Sequence, residues 1–209
     1  ESNEQAKPPP TFGLLAIKSG TIRYVDAPLN LNLLANLSLQ EGETGTDALK
    51  VDATGEYLNR KLNIDLASTG VLPWVAQNAA PIPVALNITL GTAKLAFKGL
   101  ATDALKMEQL SGQFVVSGPS LASAGEALGI TLPSTPAFRT EGKLNRDAST
   151  WKADIASATI GSSRLKGEFL YEGDNDQPLL TGVLKGPSLV LADLGPTVGG
   201  SVVQESGQK

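Results

Sequence analysis

The sequence predicts an all-β protein, mainly antiparallel, built as an elongated sheet with a few short helices. Three observations predict it: long runs of period-two alternation, a scarcity of helical periodicity, and a weak internal repeat of strand, strand and small connector. Successive side chains of a strand point to opposite sides, so alternation gives one apolar and one wet face. That is the pattern of antiparallel sheet rather than of a parallel sheet buried on both faces.

The alternating segments follow one another along the chain. Leu29, Leu31, Leu33, Leu37 and Leu39 alternate with Asn30, Asn32, Asn36, Ser38 and Gln40. Leu62, Ile64 and Leu66 are separated by Asn63 and Asp65, and Val84, Leu86, Ile88 and Leu90 by Ala85, Asn87 and Thr89. Leu95 and Phe97 sit among Lys94, Ala96 and Lys98; Leu165, Phe169 and Tyr171 share a parity with Gly167, opposite Lys166 and Glu168. Turns are expected at Ser19-Gly20, Glu41-Gly42, Asn145-Arg146-Asp147 and Gly173-Asp174-Asn175-Asp176. The best helix is Ser120 to Leu128, where Leu121, Ala124 and Leu128 share a side before Gly129. Leu72 to Asn78 and Leu189 to Leu194 could each form a turn or two.

Gly118-Pro119-Ser120-Leu121 recurs as Gly186-Pro187-Ser188-Leu189, each time after an apolar strand and before a short helical stretch. Ser68-Thr69-Gly70-Val71-Leu72 occupies a similar place. Repeats of this kind point to a quasi-one-dimensional sheet. The polar opening with Pro8-Pro9-Pro10 makes 1–10 a linker, leaving a β-rich domain over 11–200 and a tail or linker over 201–209. A chain that opens on Glu1 is expected to be an excised or processed piece, with any membrane element upstream.

Composition narrows the function. Hydrophobic residues at 41% and charged residues at 18% suit a folded core rather than disorder. A net charge of −4 argues against nucleic acid, which needs a clustered cationic surface. The chain has no Cys and no His, which removes thiol nucleophiles, disulfides, zinc fingers and imidazole chemistry.

The remaining catalytic patterns are decoys. Ser149-Thr150-Trp151-Lys152 and Ser163-Arg164-Leu165-Lys166 both read Ser-x-x-Lys. That motif works on a helix, whereas in a strand Ser and Lys point to opposite faces. Glu172, Asp174 and Asp176 around Gly173 read as a solvated hairpin turn, since the spaced ligands and distal Glu of a calcium loop are missing. No catalytic residue, metal site or cofactor is expected. Glycines within strands are explained by bulges and close backbone approach. Trp74 is expected as a core anchor, and Trp151, alternating with Ala153 and Ile155, on an apolar strand face.

The stretch from Gly161 to Gly200 carries Gly161-Ser162-Ser163-Arg164-Leu165-Lys166-Gly167, an acidic turn over Glu172 to Asp176, Pro178 to Leu184, and Leu189 to Pro196. It resembles the closing signature of AsmA-family proteins. Ser19 to Tyr24 with Asp26, Pro83 to Gly91, and Leu132 to Pro136 also look like the family, so the resemblance runs from about Leu14 to Gly200. The resemblance implies a periplasmic portion of a protein anchored in the inner membrane by an N-terminal segment that this chain lacks. It implies a curved sheet forming a groove lined with apolar side chains, as in bridge-like lipid-transfer proteins. The implied partners are phospholipid acyl chains moving toward the outer membrane, the inner membrane itself, and outer-membrane or periplasmic proteins. No catalytic residue is carried over.

The residues expected to face lipid are Leu29, Leu31, Leu33, Leu62, Ile64, Leu66, Val84, Leu86, Ile88, Leu90, Leu95, Phe97, Leu165 and Phe169. Alternation gives their parity within each strand but not which parity lines a groove. A filled sandwich of two sheets would hide the same residues. A structural factor for outer-membrane protein assembly is the second functional expectation, and an envelope hydrolase the third.

Overall fold

The computed structural model describes residues 18–40, 48–69, 80–102, 109–128, 131–173 and 179–195. Eleven strands dominate it: β1 (Ser19–Asp26), β2 (Leu31–Gln40), β3 (Ala48–Tyr57), β4 (Arg60–Thr69), β5 (Ile82–Leu90) and β6 (Ala93–Thr102). They continue as β7 (Gln109–Gly118), β8 (Phe138–Asp147), β9 (Thr150–Ile160), β10 (Ser163–Glu172) and β11 (Leu179–Ser188). A helix α1 (Leu121–Leu128) lies between β7 and β8, and a single 3-10 turn (Leu191–Leu194) follows β11.

All strands join one sheet in chain order, each antiparallel to the next. Alternation demands a partner at every step, and the adjacent segment supplies it, through two-residue turns at 58–59, 91–92, 148–149 and 161–162. Leu58 (φ 49°) and Asn59 (φ 61°) are both left-handed in the β3–β4 turn, as a two-residue hairpin of this twist requires. Ten spacings of about 4.8 Å make the sheet about 48 Å long across its strands.

Two expected turns are strand instead. Ser19 and Gly20 open β1, where they pair with Ser38 and Leu37. Asn145, Arg146 and Asp147 complete β8, and the turn moves on to Ala148, whose φ is 49°. A cross-strand partner outweighs the turn preference of these residues. Arg146 lies 4.7 Å from the centre of the Trp151 ring opposite it and donates from Nε to the Ala148 carbonyl at 2.8 Å. The helix expected over Ser120 to Leu128 forms, and the Leu189 to Leu194 stretch contracts to the 3-10 turn. Both Gly-Pro-Ser-Leu copies occupy equivalent places, at the end of a strand and before a helical turn. Linker 1–10, tail 201–209, the Glu41-Gly42 turn, the Leu72–Asn78 stretch with Trp74, and Asp174 to Asp176 lie outside the described residues.

Glycine bends the sheet toward one side. At Gly55, Gly99, Gly142 and Gly167 a Cβ would collide with a backbone carbonyl oxygen of the adjoining strand: Asn32, Ser111, Asp154 and Val183 respectively. Flat pleated neighbours leave ordinary space there, so these positions are creases, and the face carrying the missing Cβ atoms is the inside of the curve. In β9, Glu141 pairs with Ser157 but Gly142 pairs with Ile155, so one residue is extra. That bulge flips the parity: Trp151, Ala153 and Ile155 share a face with Ala158 and Ile160. A second shift, between Arg164 and Lys166, places Gly186-Pro187 of β11 at an irregularity of the sheet edge, where proline is tolerated.

Candidate functional site: one apolar face across eleven strands

Residues directly opposite in an antiparallel pair point to the same side, so the register traces each face across the sheet. One row runs Gly20, Leu37, Val51, Leu66, Leu86, Phe97, Phe114, Gly142, Ile155, Gly167 and Leu184, one residue from every strand and all apolar. The next row, Ile22, Ala35, Ala53, Ile64, Ile88, Leu95, Val116, Thr140, Ala158 and Leu165, admits one hydroxyl. The opposite side is wet. Its row through Thr21, Asn36, Asp52, Asp65 and Asn87 is polar from β1 to β5 before it reaches Ala96 and Val115, and Thr21 Oγ1 donates to Asn36 Oδ1 at 3.1 Å.

The register brings together every residue expected to face lipid except Leu29. Leu31, Leu33, Leu62, Ile64, Leu66, Val84, Leu86, Ile88, Leu90, Leu95, Phe97, Leu165 and Phe169 all lie on the glycine-creased apolar face. Leu29 falls in the exposed turn between β1 and β2, where its N–H donates to Asp26 Oδ1 at 3.1 Å. Pro28 and the left-handed Asn30 (φ 47°) end the alternation before it reaches Leu29. Sequence reasoning omitted Phe114 and Phe138, and placed Ile155 on an apolar strand face without counting it among the lipid-facing residues; the three form the centre of the main apolar cluster with Phe97 and Leu165. Their strands are diluted by Gly and Ser, and the β9 bulge breaks the parity that would have revealed them.

Coverage of this face is uneven. Phe97, Phe114 and Phe138 are buried, packed by neighbours on the same curved surface and by Leu121 and Ala124 of α1. Leu66, Leu86 and Ile88 are half-buried. Toward the two edge strands the face opens: Ile22 is 53% exposed on β1 and Leu180 63% on β11. Among the described residues no second sheet packs against it, so the sandwich alternative is not the arrangement formed.

The polar groups of the chain serve the scaffold. Asp193 Oδ2 accepts from the backbone N–H and the hydroxyl of both Ser162 and Ser163, at 2.8 to 2.9 Å. Ser163 is fully buried, and its Oγ also accepts from the Val190 N–H at 2.9 Å. This knot ties the segment after β11 to the β9–β10 turn. Burial works to raise the Asp193 pKa, but the hydrogen bonds from Ser162 and Ser163 together hold it below the ordinary 3.8. Its stabilisation is therefore complete above about pH 4 and lost as pH falls through the lowered value. The melting temperature of Asp193→Asn should lie below the parent's at neutral pH, with the gap narrowing below pH 3.8. A gap that stays constant into acid would refute this assignment.

Neither Ser-x-x-Lys pair assembles. Ser163 faces the apolar side and is held by Asp193, while Lys166 lies on the opposite, exposed side. Ser149 sits in the β8–β9 turn and Lys152 on the wet face. The Asp174 and Asp176 of the acidic turn lie outside the described residues, among which no cluster of three acidic side chains could hold a metal. No described helix is long and apolar enough to cross a membrane.

The AsmA family protein YhjG of Escherichia coli (strain K12) is 34% identical to this chain over 124 residues. Over that stretch the chain is similar in sequence to an AsmA family protein. The alignment covers 57% of the chain and 18% of the relative, so it spans less than a fifth of that relative's length. No family model matches the chain, and no solved structure matches it.

Proposed function

We propose that this AsmA-like sheet is a non-catalytic carrier of phospholipid acyl chains, working in the periplasm as part of a protein anchored to the inner membrane. The observation that carries the reading is the unbroken apolar row across all eleven strands on the inner side of a curved sheet. Acyl carbons need no fixed hydrogen-bonding partner, since each buried methylene contributes about 0.8 kcal/mol. A surface of Leu, Val, Ile, Phe and Gly with no charge along the row lets a chain slide rather than lodge. The head group stays in water beyond the rim. The conduit runs across the strands, so further strands on either edge would lengthen it, and the direction that fits the family is toward the outer membrane.

Native mass spectrometry of the purified chain, with lipid extraction from the same sample, tests the reading. Bound phospholipid, or its uptake from phosphatidylethanolamine/phosphatidylglycerol vesicles, is expected. A folded, lipid-free chain that refuses those vesicles would sink it.

One observation favours a second reading, an assembly factor for outer-membrane proteins. β11 is exposed up to Pro187, and Leu179, Leu180, Val183 and Leu184 stand out on a strand that is the edge of the sheet among the described residues. A lipid-free chain that captures an unfolded outer-membrane β-strand would select that reading.

A further inference from the structure

We infer that α1 is a strap across one end of the apolar face, hinged at its N-terminus and latched by Arg60, and that acyl chains load at this end when the latch releases. The inference rests on the acyl-carrier reading of that face and adds its regulation.

The two attachments of the helix differ. At the start, the Leu121 N–H donates to Thr135 Oγ1 at 2.9 Å, Thr135 Oγ1 donates to the Pro136 carbonyl at 2.9 Å, and the Thr135 N–H donates to Ser120 Oγ at 2.9 Å. Thr135 is buried, so this pin is shielded from water. Leu121 and Ala124 rest on the apolar cluster centred on Phe97, Phe114 and Phe138. Beyond the pin, the polar contacts of α1 with the sheet, among the described residues, come from Arg60 at the start of β4. Its guanidinium pairs with the Glu126 carboxylate and donates from Nη1 to the Ser123 carbonyl at 3.4 Å.

Arg60 shares the apolar side with Leu62, two residues along β4. Its stem passes the β5–β6 turn, about where a Cβ on Gly91 would lie 3.7 Å away. The helix packs on β6 and β7, and the Arg60 side chain joins it to β4 past the end of β5. The latch side chains are 34% and 57% exposed, and an ion pair so open to water is worth little and exchanges readily. A shielded hinge opposite a wet latch, over the apolar face of the described sheet, is the arrangement of a strap that opens from one side.

Charge reversal and cross-linking test it on the whole chain. Arg60→Glu sets two carboxylates against each other and should speed uptake of dansyl-phosphatidylethanolamine from vesicles about two- to fivefold. Adding Glu126→Arg should restore the parent rate. Because the chain has no cysteine, Arg60→Cys with Glu126→Cys, bridged by a bis-maleimide, locks the strap and should slow uptake at least about tenfold. Hydrogen exchange supplies a readout independent of lipid: Arg60→Glu should quicken exchange of the α1 amides while Phe97 and Phe114 stay protected. Unchanged α1 exchange, or equal uptake by locked and unlocked chains, would overturn the strap. If the parent chain takes up no lipid, the carrier reading fails, and α1 exchange still judges the latch on its own.

Discussion

Gly142→Ala should cost the fold about 3 kcal/mol or more, measured by urea denaturation, although it adds a single methyl group. Gly142 pairs with Phe114 on one side and Ile155 on the other, at the centre of the main apolar cluster. Its missing Cβ is the space into which the Asp154 carbonyl oxygen bends, and Ile155 Cα would lie 3.1 Å from an added methyl. These are backbone atoms held by ladder hydrogen bonds, so no side-chain rotation can relieve the collision. The sheet must unbend at β8–β9, which separates the buried residues on the inside of the curve. Gly173→Ala is the control: its nearest neighbour would be the Ser149 carbonyl oxygen at 3.3 Å, and a change within about 1 kcal/mol is expected. Equal losses at the two sites would mean that curvature is not what Gly142 provides.

Ile88→Asp should reduce phospholipid uptake more than about tenfold, because one ionised carboxylate in an apolar track costs several kcal/mol to desolvate. Ile88 lies between Ile64 and Leu95 on the apolar side and is half-buried. Its neighbour Asn87 points to the wet side, opposite Asp65 and Ala96, so Asn87→Asp adds the same charge one residue away. Uptake by Asn87→Asp should match the parent. Circular dichroism and urea midpoints identify variants that fail by unfolding, and Ile88→Asn gives a milder polar insertion where they do. A folded Ile88→Asp chain that loads lipid at the parent rate would exclude this face as the track.

Much of this architecture was legible in the residues because strand alternation is local. The parity of Leu62, Ile64 and Leu66, or of Val84 to Leu90, needs no knowledge of what lies beside them. The helix over Ser120 to Leu128 was legible for the same reason. What failed did so where a partner decides. Arg146 reads as a turn residue until Trp151 stands opposite it. Ile155 and Ala158 read as out of phase until the bulge between them is seen. Asp193 reads as one more surface carboxylate, and its four hydrogen bonds come from serines thirty residues upstream in the chain.

The sequence by itself determined that the chain alternates between oil and water, strand after strand, with neither Cys nor His to support thiol or imidazole chemistry. Only the tertiary structure decided that the apolar sides of all eleven strands join into one surface, that glycines and a bulge curve the sheet toward it, and that Arg60 meets Glu126 across its end. The reason is physical: the side on which a residue points follows from bond geometry two residues at a time, whereas register, curvature and long-range pairing depend on atoms that only the folded chain brings within reach.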